Sequence, residues 1–127
     1  MIPITGNEYP QHIKGKERVY QIITEKGLIA KYEVSLGITE TEIGIRNFTA
    51  DIFAFWTNAR TGITKRIAFE IDGKYHNSKL QLHKMANRDK ALRKRGIYTV
   101  RLRTDWLVGK GKVDDQTIWN EILYQLK

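Results

Sequence analysis

Phe69-Glu70-Ile71-Asp72-Gly73-Lys74-Tyr75-His76 ends an apolar strand on charged side chains, and the rest of the chain reads outward from that junction. From Thr64 to Asp72 the residues alternate, with Ile67, Phe69 and Ile71 on one face and Ala68, Glu70 and Asp72 on the other. Asp51 lies nineteen residues before Glu70 and adds a third carboxylate. Charge at the tip of a buried strand costs stability unless something pairs it.

The segment before Thr64 sets the register. An extended stretch from Glu42 to Trp56 places Ile52, Ala54 and Trp56 on one face and Asp51, Phe53 and Phe55 on the other. Thr57-Asn58-Ala59-Arg60-Thr61-Gly62 is a turn signal. Pairing the strands antiparallel about a centre between Arg60 and Thr61 puts Asp51 opposite Glu70 on the same face, with Cβ atoms about 4.5–5.5 Å apart. Two carboxylates at that spacing, with a backbone carbonyl and waters, form a hard-oxygen site for Mg²⁺ or Mn²⁺. Two ordinary exposed acids at strand ends satisfy the same pattern, and a one-residue slip would send Glu70 to the other face.

Around this hairpin, residues 1 to 13 read as an irregular arm with Pro3, Gly6 and Pro10, and residues 14 to 127 as one domain. Val19, Ile22 and Ile23 recur at helical spacing from Lys14 to Lys26, and Gly27 follows as a C-cap. Leu28 to Leu36 reads as a strand and Gly37 to Thr41 as a turn. Asn77 or Ser78 caps a long helix that ends near Arg95 and is stopped by Gly96; Ile97 to Leu102 is the next strand. Asp114 and Asp115 open a last helix with Ile118, Trp119, Ile122, Leu123 and Leu126 in one stripe. The order α-β-β-β-α-β-α predicts an α/β fold, a mixed β-sheet flanked by helices. Trp106, Trp119, Phe53 and Phe55 are expected in the core, while Trp56 fits either the core or an exposed contact.

Composition narrows the chemistry. The chain has no cysteine, which removes disulfides, thiolate zinc sites and thiol nucleophiles. No apolar run reaches the roughly 18 residues that span a bilayer, and Met1-Ile2-Pro3-Ile4-Thr5 does not resemble a signal peptide. A soluble, cytoplasmic protein without a membrane role is expected (host cytoplasm if a phage encodes it). Lys74 to Arg103 holds ten of the 22 Lys and Arg but one of the 14 acids, Asp89. Basicity gathered into one patch is the footprint of a polyanion partner.

The long helix organises this patch. Leu82, Met85, Ala86 and Leu92 share one face, expected to pack on the core, while Lys84, Arg88 and Arg95 stack on another. Asp89 falls within the apolar arc and is expected to pair with Arg101 or Arg103. A cationic row beside an acidic, metal-holding strand end is the layout that phosphoryl transfer needs.

With Asp51 and then Glu70-Ile71-Asp72, the chain resembles the PD-(D/E)XK nuclease superfamily. Glu70-x-Asp72-Gly73-x-x-His76, followed by Lys84, Arg88-Asp89 and Gly96, is similar to its very-short-patch-repair branch. Glu17, Tyr32-Glu33 and Thr49-Ala50-Asp51-Ile52-Phe53 are similar to phage and archaeal junction-resolving endonucleases. The resemblance spans roughly Lys16 to Arg103. It implies a restriction-endonuclease-like core and a Mg²⁺-dependent endodeoxyribonuclease, with Mn²⁺ able to substitute, in DNA repair or recombination.

Carried onto this chain, the resemblance implies that Asp51, Glu70 and the Ile71 carbonyl hold the metal, with Glu17 completing a second position. At position 72 most of the superfamily has lysine and this chain has aspartate. Asp72 is then a third metal ligand or a cap for the Gly73 turn. The missing lysine's work would pass to Lys84 first, or to Lys74 or His76, with His76 as general acid/base or phosphate contact. Lys74, Lys79, Lys84, Arg88, Arg95, Arg101 and Arg103 are the expected DNA contacts. His12 and His83 are expected to be incidental. So small a domain is expected to act as a homodimer or on branched, mismatched or flapped DNA. The alternative is a non-catalytic nucleic-acid-binding module on a nuclease scaffold.

Overall fold

The computed structural model describes residues 10–37, 48–73 and 79–127. Among the described residues, alternating apolar residues make four strands of one sheet, and three longer helices cover it. The order is α1 (Pro10–Glu25), β1 (Ile29–Ser35), β2 (Thr49–Thr57), β3 (Thr64–Asp72), α2 (Lys79–Lys94), β4 (Ile97–Arg103), α3 (Thr104–Leu107) and α4 (Asp115–Gln125). The sheet runs β1-β2-β3-β4, antiparallel at the first two pairings and parallel between β3 and β4. The expected mixed α/β architecture is present. Among the described residues no helix is long and apolar enough to cross a membrane.

The β2–β3 register is the one the turn predicts: Thr57 faces Thr64, Phe53 faces Ala68 and Ile52 faces Phe69. Asn58 closes the turn, its side-chain oxygen accepting from the amides of Arg60 and Thr61. One sheet face carries Ile52, Ala54, Ile67, Phe69, Ile71, Val100 and Leu102 against Val19, Ile22 and Ile23 of α1 and Ile118, Trp119 and Ile122 of α4. On the other face α2 buries a smaller apolar patch, Ala91 and Leu92 with Ala68, Ile97 and Phe48. Burial on both faces explains why β3 has five consecutive buried residues, Ile67 to Ile71.

Two local devices bring the helices in. A Cβ placed on Gly15, inside α1, would lie 3.2 Å from Ile71 Cγ2 and 3.4 Å from Leu107 Cδ1. Glycine there lets α1 approach the strand that carries Glu70. Arg18 then donates to the carbonyls of Trp106, Leu107 and Val113 and to Asp115 Oδ1 at 2.9 Å, joining α1 to α3 and α4. Asp114 caps α4 through the Thr117 amide at 2.8 Å.

Several expectations change. α1 begins at Pro10 rather than Lys14, so residues 10 to 13 belong to a helix and not to an arm. Proline suits a first helical position because its φ is preset and its missing N–H is not needed there. The short α3 was not expected; four residues are too few to show a period. Of the face predicted to anchor α2, only the C-terminal end is buried: Leu92 is, but Leu82 is 53% exposed and Ala86 is exposed. Phe55, expected in the core, is 43% exposed. Trp56 joins the core, edge-on to Trp119 at 5.9 Å. The strand expected from Glu42 is seen from Thr49; residues 1 to 9 of the expected arm, residues 38 to 41 of the expected turn, residues 42 to 47, and the caps Asn77 and Ser78, lie outside the described residues.

Candidate functional site

Where β2 leaves the ladder, side chains replace backbone partners. Past the Ile52–Phe69 pair, Asp51 N–H donates to Glu70 Oε2 at 3.0 Å. In return Ile71 N–H donates to Asp51 Oδ2 at 2.9 Å. Each carboxylate therefore accepts the other strand's amide, and the two acids face each other across the strand ends as the register requires. The sheet exchanges ladder hydrogen bonds for a polar notch.

Burial makes the notch electrostatically demanding. Glu70 is 8% exposed, and desolvation followed by the neighbouring Asp51 charge pushes its pKa up from 4.5 to about 8. The Asp51 amide, Arg88 and Arg101 pull the other way without offsetting burial. Arg88 Nη2 is 3.8 Å from Glu70 Oε1, and its guanidinium lies over the Phe48 ring at 4.3 Å. Burial holds the Arg88 pKa below its ordinary value. Arg88 Nε is buried with no hydrogen-bond partner among the described residues.

A second charge network stands beside the first on β4. The parallel register sets Glu70 against Arg101 and Asp72 against Arg103. Arg101 forks onto Asp89 of α2, at 2.7 and 3.4 Å, and lies 3.7 Å from Asp72 Oδ1. Burial works against the Arg101 guanidinium, but Asp89, Asp72 and Glu70 together hold its pKa above the ordinary value. Arg101 is thus the strand partner expected for Asp89. The carbonyl of Asp72 accepts from the Thr104 hydroxyl at 3.1 Å, which ties the end of β3 to α3.

On the opposite side α1 reaches the notch. His12 Nε2 lies 3.4 Å from Asp51 Oδ2. One turn along the same helix face, fully buried Lys16 binds Glu33. Glu33 has φ +52°, the left-handed region rarely adopted outside glycine. His12, expected to be incidental, is therefore at the site. Its sequence signal was weak, since a histidine in a stretch read as an irregular arm gives no hint of facing a strand end.

The other expected residues divide. Asp51, Glu70 and Arg88 converge, with Ile71 contributing its amide to Asp51, and Asp72 turns toward Arg101. Glu17 is exposed; its charge reaches Tyr32, whose pKa is pushed up to about 12 chiefly by burial, then by Tyr20 and Glu17. Lys79 and Lys84 are exposed on α2. Arg95 is exposed and donates to the Gly37 carbonyl at 3.3 Å, and exposed Arg103 pairs with Asp105 at 2.6 Å. Lys74 and His76 lie outside the described residues. Among the described residues no group of three or more His, Cys, Asp or Glu side chains is gathered as a metal site. No family model, curated protein or solved structure matches the chain.

Proposed function

We propose that this chain is a metal-dependent DNA endonuclease on a restriction-endonuclease-like core, acting on branched, mismatched or flapped DNA. The observation that carries this reading is the reciprocal Asp51–Glu70 notch, two carboxylates turned on one another where β2 and β3 part. Two carboxyl groups so placed ionise together only at a cost, which a bound cation would offset. The donor set fits one: Mg²⁺ commonly takes one or two carboxylates and keeps several waters, so Asp51 and Glu70 suffice without a third acid. Bound there, Mg²⁺ would polarise a phosphoryl oxygen and offset its charge.

The chain's own residues supply the rest. Arg88, half-buried beside Glu70, sets a guanidinium charge next to the notch, where it would offset the charge of a phosphate. Exposed Lys79 and Lys84 on α2, and exposed Arg95 just past its end, add cations for backbone phosphates. His12 holds Asp51 from the α1 side. A homodimer would supply the contact surface that one small domain lacks.

A second reading, a nucleic-acid-binding module that does not cut, is favoured by one observation. Where the resembled family has lysine, Asp72 is engaged by Arg101, and Lys84 stands exposed. The two readings separate on supercoiled plasmid and branched DNA incubated with Mg²⁺, Mn²⁺ or chelator. Metal-dependent cutting that disappears in both Asp51→Ala and Glu70→Ala supports the enzyme. Binding without cutting in either metal, or cutting retained in Glu70→Ala, refutes it.

A further inference from the structure

Phe55 is a large apolar side chain on the sheet face that the sequence had assigned to the core. α2 crosses that face over β3 and β4, where Ala91 and Leu92 bury Ala68 and Ile97. Over β1 and β2 the described residues leave part of this face uncovered. Phe55 is 43% exposed, and Ile29, its direct partner across the ladder, is 71% exposed. Phe53, one step along β2, is half-buried and meets the Phe55 ring edge-on at 5.3 Å.

The setting of these rings is cationic. Exposed Lys31 pairs with Phe53 on β1, and exposed Arg66 pairs with Phe55 on β3. Side chains two apart on a strand stand about 6.6–6.8 Å from each other. Phe55, Phe53 and Asp51 alternate along β2 and therefore form one row, leading from the open face to the acid notch. Aromatic faces bracketed by cations are what unpaired nucleotides use: bases stack on the rings while the backbone follows the charges. A fully paired duplex hides its base faces and gains little from such a row.

We propose that the open β1–β2 face, through Phe55 and Phe53 with Lys31 and Arg66, binds an unpaired DNA strand and feeds it toward Asp51 and Glu70. The choice of DNA rests on the endonuclease reading; the preference for an unpaired strand rests on the rings and their charges. It narrows the substrate to DNA with a single-stranded segment, such as a flap or an open branch.

The test is anisotropy binding in chelator, where cutting cannot interfere, using labelled oligothymidylate and a blunt duplex of equal length. Phe55→Ala and Phe55→Leu should each weaken single-strand binding about 5- to 150-fold, the loss of one stacked base, and leave duplex binding within about twofold. Phe55→Tyr should restore it. Leucine keeps the apolar contact and removes the π face, so it separates stacking from simple burial. Equal losses on both probes, no loss, or full binding by Phe55→Leu each overturn the proposal. So does sedimentation showing a wild-type dimer that Phe55→Ala dissociates, because the face would then belong to a second copy. Thermal melts confirm that each variant is folded. None of these readouts depends on cleavage, so a protein that fails to cut plasmid would refute the endonuclease and still test this face.

Discussion

Replacing Glu70 with glutamine should stabilise the metal-free protein at alkaline pH and change its stability little at acid pH. The buried Glu70 carboxyl holds its proton up to about pH 8 because burial and Asp51 disfavour the charge; in the unfolded chain it ionises near 4.5. A raised carboxyl pKa means that the native state binds more protons than the unfolded state between those values. Stability therefore falls as pH rises through that window, and the penalty is complete above pH 8. At about 1.4 kcal/mol per pH unit the full window corresponds to roughly 5 kcal/mol, and about 4 kcal/mol is already spent at pH 8. For a chain of this size that is on the order of 10–20 °C in Tm. Glutamine retains a side-chain oxygen for the Asp51 amide and carries no charge, so its melting curves should lack this component. The assay is thermal unfolding of both proteins in chelator from pH 4.5 to 9, read as the difference between them. Adding Mg²⁺ should raise the wild-type Tm most at high pH and leave Glu70→Gln almost unmoved. Parallel pH profiles, or an equal response to Mg²⁺, would refute both the burial of the charge and the cation site.

Asp89→Ala should cost about 1–2 kcal/mol in urea unfolding, because Arg101 keeps only the longer contact to Asp72; an unchanged midpoint would show the fork to be idle. Gly96→Ala should cost about 1 kcal/mol or more. Gly96 ends α2 at φ +78°, and an added Cβ would come within 3.0 Å of the Arg66 guanidinium that binds the Arg95 carbonyl; a neutral effect in the same assay would exclude that crowding. DNA affinity should fall with salt at a log–log slope of about 0.9 per neutralised phosphate, and Lys84→Ala with Arg95→Ala should reduce the slope by up to about two; an unchanged slope would remove both from the contact surface.

Legibility in the sequence follows the range of the forces involved. The β2–β3 hairpin can be read because alternation sets its faces and Asn58 to Gly62 set its centre; register, and with it the meeting of Asp51 and Glu70, comes from those two local signals. The fork between Asp89 and Arg101 was also legible, since an acid inside an apolar arc needs a cation on the neighbouring strand. His12 and Lys16 were not. Their positions depend on α1 starting at Pro10 and pressing close to β3 through Gly15, a packing outcome with no local pattern. Phe55 misled for a related reason: alternation assigns a side chain to a face, but says nothing of whether α2 covers that part of the face. Arg88 was legible as a cation, though not as a half-buried one held between Phe48 and Glu70.

The crossed hydrogen bonds at the notch also make the backbone a reporter. The amides of Asp51 and Ile71 are satisfied by carboxylates rather than by strand carbonyls, so their exchange with solvent deuterium follows the orientation of two side chains instead of the opening of the sheet. Ile52 and Phe69, one step inside, remain in the ladder and provide an internal reference. A cation that draws Asp51 and Glu70 toward itself should accelerate exchange at those two amides while the interior stays slow. Occupancy of the strand end can thus be followed residue by residue in the folded protein without any substrate.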